Sequence, residues 1–169
     1  MNADIKVKAP RKSVAQDLLS KTRVKMNKSG SESVIDVQRP RTRDNQSIHI
    51  DIDIEAPRRL AYRFKTHNGE TTVTDVSSVS GKSHNGRIRA SDIPGFVDLE
   101  SHNGSIRCTS VKGPLDLETH NGSVVVHLDE VTGPVCSIET HNGKIDLDAP
   151  EDLSARVSVR AHNGSIKLR

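Results

Sequence analysis

The tripeptide His-Asn-Gly occurs six times in the last hundred residues, beginning at His67, His84, His102, His120, His141 and His162, so that its copies lie 17 to 21 residues apart. Self-similarity at such a period marks one supersecondary unit stacked on itself, because a single short unit cannot bury its own apolar face.

Counted from the Gly of each copy, the second following residue is Thr71, Ile88, Ile106, Val124, Ile145 or Ile166, and the fourth is Val73, Ala90, Cys108, Val126, Leu147 or Leu168. Counted back from the His, the third residue is Phe64, Gly81, Leu99, Leu117, Ile138 or Val159, and the fifth is Tyr62, Val79, Val97, Leu115, Cys136 or Val157. Period-two alternation rich in Ile and Val on both sides of the tripeptide predicts two short strands per copy, with these four columns facing inward. Asn-Gly between them reads as a turn because both residues tolerate positive φ. A second punctuation separates the copies at Gly81, Ile93-Pro94-Gly95, Gly113-Pro114, Gly133-Pro134 and Ala149-Pro150-Glu151-Asp152.

Two architectures accommodate this pattern. An antiparallel meander would place a hairpin at every Asn-Gly. A parallel β-solenoid would pair each coil with the next at about 4.8 Å. The solenoid is expected, because identical residues in identical columns are favoured where like stacks on like, and a meander gives no reason to repeat the triplet. Residues 57–169 are therefore expected to form an all-β, parallel β-solenoid of about five to six two-stranded coils.

Residues 1–56 lack the repeat. Strands are expected at Ile5–Val7, Val24–Met26 and Ser33–Val37, with a turn at Lys28-Ser29-Gly30 and a polar loop over Arg39–Asn45. Apolar residues four apart, Val14 with Leu18 and Ala15 with Leu19, predict a short helix within Ser13–Ser20. Ser47–Ala56 alternates Ile48, Ile50, Ile52 and Ile54 with polar residues and reads as a half-buried strand leading into the first coil. The segment is expected to be a small α+β cap continuous with the stack, covering its first edge.

A β strand and short helix, then an Ile-x-Ile-x-Ile-x-x-Pro strand (Ile50 to Pro57), then recurring Thr-x-Asn-Gly-x-Ile units: this order resembles a bacterial β-strand-repeat family of unknown function that carries an adhesin label and is akin to toast-rack domains. The resemblance spans nearly the whole chain. It implies an extracytoplasmic module, periplasmic or at the cell surface, in the case that a signal or lipid anchor has been removed. No catalytic residue is implied. The constant His before Asn-Gly departs from that family's pattern, where a small polar residue is more usual.

Composition narrows the function classes. With no Trp, one Tyr and two Phe, the chain has nothing from which to build a base-stacking or sugar-stacking platform, so specific nucleic-acid binding is not expected. A net charge of +3 over 25 basic and 22 acidic residues describes a mixed surface. No apolar run approaches the length of a membrane span. Residues 1–8 do not read as a secretory leader, which leaves a soluble intracellular protein or one whose signal lies outside this sequence. Cys108 and Cys136 lack zinc-ribbon or redox spacing and read as buried thiols on the two different sheets.

By parity each His faces outward beside the column Lys65, Lys82, Glu100, Glu118, Glu139 and Arg160. Stacked in register, His102, His120 and His141 with Glu100, Glu118 and Glu139 would form a candidate stripe for weak zinc or nickel binding, since imidazole and carboxylate are ordinary ligands of both. The plainer reading is that His fills a turn position. Asp98 and Asp116 extend the carboxylate row. On the other outer face, Arg87, Arg89 and Arg107 fall on adjacent coils and suggest a seat for an anionic polymer. The rival class, a polysaccharide-cleaving β-helix enzyme, would need carboxylates in a covered groove. Asp129, Glu130, Asp146 and Asp148 form the only compact acidic set, among short connections. The expectation is a non-enzymatic, adhesin-like binding or structural module at the cell envelope or surface. An unidentified protein or anionic polymer would meet a sheet face, and end-to-end self-association would run through the C-terminal coil.

Overall fold

The computed structural model describes residues 2–29, 32–38, 40–43, 45–53, 57–129, 135–151 and 155–169. Gly30, Arg39, Asp44, the end of the expected 47–56 strand, Glu130, Gly133-Pro134 and Asp152 lie outside the described residues. The chain divides into two compact units, Met1–Ala56 and Pro57–Arg169.

The first unit contains β1 (Asn2–Lys8), α1 (Lys12–Lys21), β2 (Arg23–Ser29), β3 (Glu32–Gln38) and β4 (Ser47–Asp53). Strands β2 and β3 pair antiparallel, as do β1 and β4. The strand expected to lead from Ser47 into the first coil is therefore partnered within its own unit. Its register sets Ile48 opposite Val7, a like-with-like β-branched pairing of the kind that stabilises antiparallel strands. In α1 the apolar stripe is narrower than its spacing suggests: Leu18 is buried, whereas Leu19 is exposed. The helix closes at Thr22, whose hydroxyl donates to Leu18 O at 2.8 Å and whose N–H donates to Leu19 O at 3.1 Å.

The second unit holds β5 (Ala61–Asn68), β6 (Thr71–Thr74), β7 (Ser78–Asn85), β8 (Ile88–Ile93), β9 (Val97–Ser101), β10 (Ile106–Val111), β11 (Leu115–Asn121), β12 (Val124–Leu128), β13 (Val135–Asp148) and β14 (Arg156–Leu168). Every pairing among them is parallel. One flank runs β5-β7-β9-β11-β13-β14; the other runs β6-β8-β10-β12 and continues into the second halves of β13 and β14. Those last two strands pass through His-Asn-Gly without a break. The unit is a parallel β-solenoid of six coils, and no antiparallel pairing spans an Asn-Gly among the described residues.

Register puts like on like. Ile88, Ile106, Val124 and Ile145 are each matched to the next, and all four are at most 1% exposed. Leu99, Leu117 and Ile138 form the corresponding column on the first flank and are equally buried. Ile166 and Leu168 continue the columns in register but are exposed, because β14 has a coil on one side only among the described residues. Both cysteines are fully buried free thiols, Cys108 in β10 and Cys136 in β13, on opposite flanks as their parity required. Burial pushes the Cys108 thiol up to about 12. It also raises Cys136, there opposed by a backbone hydrogen bond at Leu115.

Two sequence expectations about turns are overturned. Gly81 is not a turn residue but a buried position inside β7, where the Phe64 ring of the preceding coil occupies the space a side chain would need. Positive φ falls on Asp75 (61°), Asp92 (57°) and Ser110 (53°), one column at the far end of the second strand, rather than on Asn-Gly. Of the six repeat glycines only Gly69 has positive φ, 108°. At Ser110 the ladder skips a residue, a bulge that swings the chain into the second corner. The bend points Ile93, Val111 and Leu128 inward as a further core column, with Val76 at its foot.

Candidate functional site

Four consecutive residues, Thr/Ser-His-Asn-Gly, build four separate ladders at the first corner. The small residue before each His is buried at Ser83, Ser101, Thr119 and Thr140. Three of these hydroxyls donate to the glycine carbonyl of the coil below: Ser101 to Gly86 at 3.4 Å, Thr119 to Gly104 at 2.8 Å and Thr140 to Gly122 at 3.0 Å. Ser83 Oγ is buried without a partner, directly above the first coil and its deviant Gly69.

The Asn side chains form a continuous amide chain. Nδ2 of Asn85, Asn103, Asn121, Asn142 and Asn163 each donates to Oδ1 of the Asn one coil earlier, at 2.7–3.1 Å. Identical amides can repeat this bond indefinitely only in parallel register, as in other stacked-strand assemblies. The glycines are required for a different reason than turn geometry. A Cβ placed on Gly86, Gly104, Gly122, Gly143 or Gly164 would fall inside the van der Waals envelope of the preceding glycine's carbonyl oxygen.

The six imidazoles stand outward, exposed, and stack face to face with ring centroids 4.7–5.0 Å apart and planes within 14° of parallel. Their spacing is the strand spacing, so the backbone ladder sets it and the rings follow. Glu100, Glu118 and Glu139 occupy a second row on the same outer side, matched in register on β9, β11 and β13, and Asp98 and Asp116 form a third. The expected ligand residues His102, His120, His141, Glu100, Glu118 and Glu139 therefore run as two parallel rows. Among the described residues no three His, Cys, Asp or Glu side chains close around a common point.

Carboxylates about 4.8 Å apart repel by roughly 1 kcal/mol per pair in a watery setting. Basic residues sit at the row's ends. Lys82 Nζ donates to Glu100, and that hydrogen bond together with the glutamate's charge raises the lysine above its ordinary 10.5. Arg160 lies in register with Glu139 on β14. The first flank is thus acidic over its middle coils and basic at its margins.

The second flank has the opposite character. Arg89 and Arg107 are register partners on β8 and β10, with Arg87 just before β8. Glu70 accepts from Arg89 and, at 3.5 Å, from Arg87. The three arginines, Ser105, Ser123 and Val125 line a shallow depression of about 440 Å³. The described acids of the set named for the rival enzyme reading are paired with basic side chains: Asp146 accepts from Arg169 at 2.7 Å, while Asp148 and Asp129 flank His127 at 2.8 and 3.6 Å. Sequence reasoning missed His127. Its signal was available, since it lies one place beyond the inward Val126 and in register with Asp148.

A second, smaller hollow of about 250 Å³ lies by the other corner, between the exposed Phe96, Pro114 and Val135 and the outward Asp98 and Asp116. No helix among the described residues is long and apolar enough to cross a membrane. No curated protein and no solved structure matches the chain. A family model described as Toastrack DUF4097, a domain of unknown function and not a known enzyme family, matches residues 1–169. With the whole chain covered by that model, and with a parallel solenoid of six stacked coils, the protein belongs to the Toastrack family.

Proposed function

We propose that the protein is a non-enzymatic, adhesin-like binding or structural module that presents the flat flanks of its solenoid to a partner at the cell envelope. The observation that carries this reading is the division of labour in each coil. Inward columns are apolar apart from the buried Ser/Thr column before each His, while His, Asn, Glu and Arg are displayed outward in rows at one strand spacing. A surface of like groups at constant intervals suits a repetitive or extended partner better than a small substrate, which calls for an enclosed concave site. The extracytoplasmic setting follows from the family resemblance and agrees with cysteines too deeply buried to depend on a reducing compartment.

Co-sedimentation of the purified chain with envelope and cytosolic fractions tests the proposal. Saturable binding to the envelope fraction alone is expected. Equal partition between the fractions, or hydrolysis of envelope polymers by the chain, would refute it.

A further inference from the structure

We propose that the Arg87–Arg89–Arg107 depression on the second flank is a binding site for a linear polymer of tetrahedral oxyanions, phosphate or sulfate. The inference rests on the reading of the chain as a binding module and names the chemistry of its partner.

The two flanks use charge unequally. In the two outward columns that flank the inward Ile88, Ile106 and Val124, the coils containing β8, β10 and β12 present Arg87, Arg89, Ser105, Arg107, Ser123 and Val125, three cations and no carboxylate, while the exposed Asp92 lies farther along β8. The acids at the ends of these same columns are engaged, Glu70 by Arg87 and Arg89 and Asp146 by Arg169. The Arg107 side chain has no hydrogen-bonding or ionic partner among the described residues. It is the register partner of Arg89 on the adjacent strand, so two arginines leave the backbone about 4.8 Å apart at their Cα atoms. Like charges so placed favour an anion that spans them.

The donors also suit the anion's shape. Guanidinium groups bind phosphate and sulfate in a two-pronged fashion, and the Ser105 and Ser123 hydroxyls add donors for an oxygen left over. A planar carboxylate offers only two oxygens. Lys144, one coil beyond Ser123 in the same outward column, extends the basic track along the stack. A linear polymer lying across the strands would therefore meet a cation or a hydroxyl at successive coils. The absence of aromatic side chains from the lining argues against a partner read through base or sugar stacking.

Glu70 gives the proposal a sign that nonspecific attraction lacks. Its carboxylate is an internal stand-in for the ligand, holding Arg87 and Arg89 until an anion displaces it. Removing its charge should strengthen binding although no contact to the polymer is added.

The test is fluorescence titration of the whole chain with linear polyphosphate, dextran sulfate and polyglutamate at low and moderate salt. Polyphosphate, dextran sulfate or both should bind, and polyglutamate more weakly; which of the two binds separates a phosphate from a sulfate partner. The R89A/R107A double variant should lose roughly tenfold or more in affinity, as loss of charge-assisted hydrogen bonds implies. E70Q should gain a few-fold. A control variant, R63A/R160A on the acidic flank, removes the same charge and should bind within about twofold of wild type. Equal losses in the two double variants, an unchanged or weaker E70Q, or no binding of either oxyanion polymer would overturn the site. Adding each polymer to the envelope co-sedimentation separates the two proposals. Envelope binding that persists in R89A/R107A leaves the module standing and removes this site, whereas a wild-type chain that binds neither envelope nor polymer removes both.

Discussion

The carbonyl oxygen of Gly104 occupies the place from which a side chain on Gly122 would have to grow, and Thr119 Oγ1 stands 3.0 Å from that same point. The corner glycines are therefore demanded by contact between coils. Gly122→Ala should cost about 2–4 kcal/mol, since the obstacle is backbone that cannot move without shifting a coil. Gly69→Ala meets no atom within 4 Å and should lose only the strain of φ 108°, about 1–2 kcal/mol. Urea unfolding of the two variants checks the order; equal losses would mean that turn conformation, and not stacking, selects Gly.

A finer test separates two hydroxyls in one column. Thr119→Val keeps the shape but removes the donor to Gly104 O at 2.8 Å, leaving a buried carbonyl short of a partner, and should cost about 1–2 kcal/mol. Ser83→Ala removes a buried hydroxyl that has no partner and should be neutral or mildly stabilising. A Ser83→Ala loss as large as that of Thr119→Val would show the column to be held by packing alone.

Much of this was legible in the sequence, because period-two alternation and register share one cause. Once the six Gly were superposed, parity gave the inward columns, the outward His and the Glu and Arg rows without further assumption. The reasons assigned to individual residues were less visible. Asn-Gly invites a positive-φ reading, and nothing local reveals that the stack forbids a side chain there instead. Gly81 reads as a turn because the Phe64 ring that fills its place lies one coil away. Asp75, Asp92 and Ser110 share no residue type that announces a left-handed bend, so in the sequence Ile93 reads as part of a turn although it is fully buried. The exposed Ile166 and Leu168 show the limit of parity, which assigns a direction but not a covering neighbour.

Phe64 and Gly81 should behave as one unit. Gly81→Ala places a methyl group within the Phe64 ring and should be destabilising by about 1–3 kcal/mol. In the Phe64→Leu background the same change should cost less by about 1 kcal/mol, because the smaller side chain vacates that space. Thermal or urea unfolding of the four-member cycle gives the coupling, and additive effects would contradict the described packing.

The buried thiols give the protein a pH dependence of known sign. Cys108 stays protonated in the fold to about 12, whereas in the unfolded chain it ionises near the ordinary 9.0. Over that interval the native state holds the extra proton, so stability declines as pH rises, by about 1.4 kcal/mol per pH unit from this group. Cys108→Val, which copies Val126 of the next coil, should remove that part of the slope while leaving stability near neutral pH within about 1 kcal/mol. Native-state labelling by a thiol reagent should be slow at both Cys108 and Cys136 and complete in denaturant. Rapid modification of either in native buffer would place it at the surface.

The copies of the tripeptide lie 17, 18, 18, 21 and 21 residues apart, yet the imidazole spacing stays within 4.7–5.0 Å along the whole row. The longer copies carry six residues between Leu128 and Val135 and seven between Asp148 and Arg156, against three between Val111 and Leu115, so the added length lies outside the His-Asn-Gly segment. Added length and alignment are thus kept in different segments of the repeat. A lineage of such chains can lengthen one segment, or duplicate a complete coil, without losing step in the other. Reach then evolves in whole increments of one strand spacing, while the text written on the flanks is revised one residue at a time.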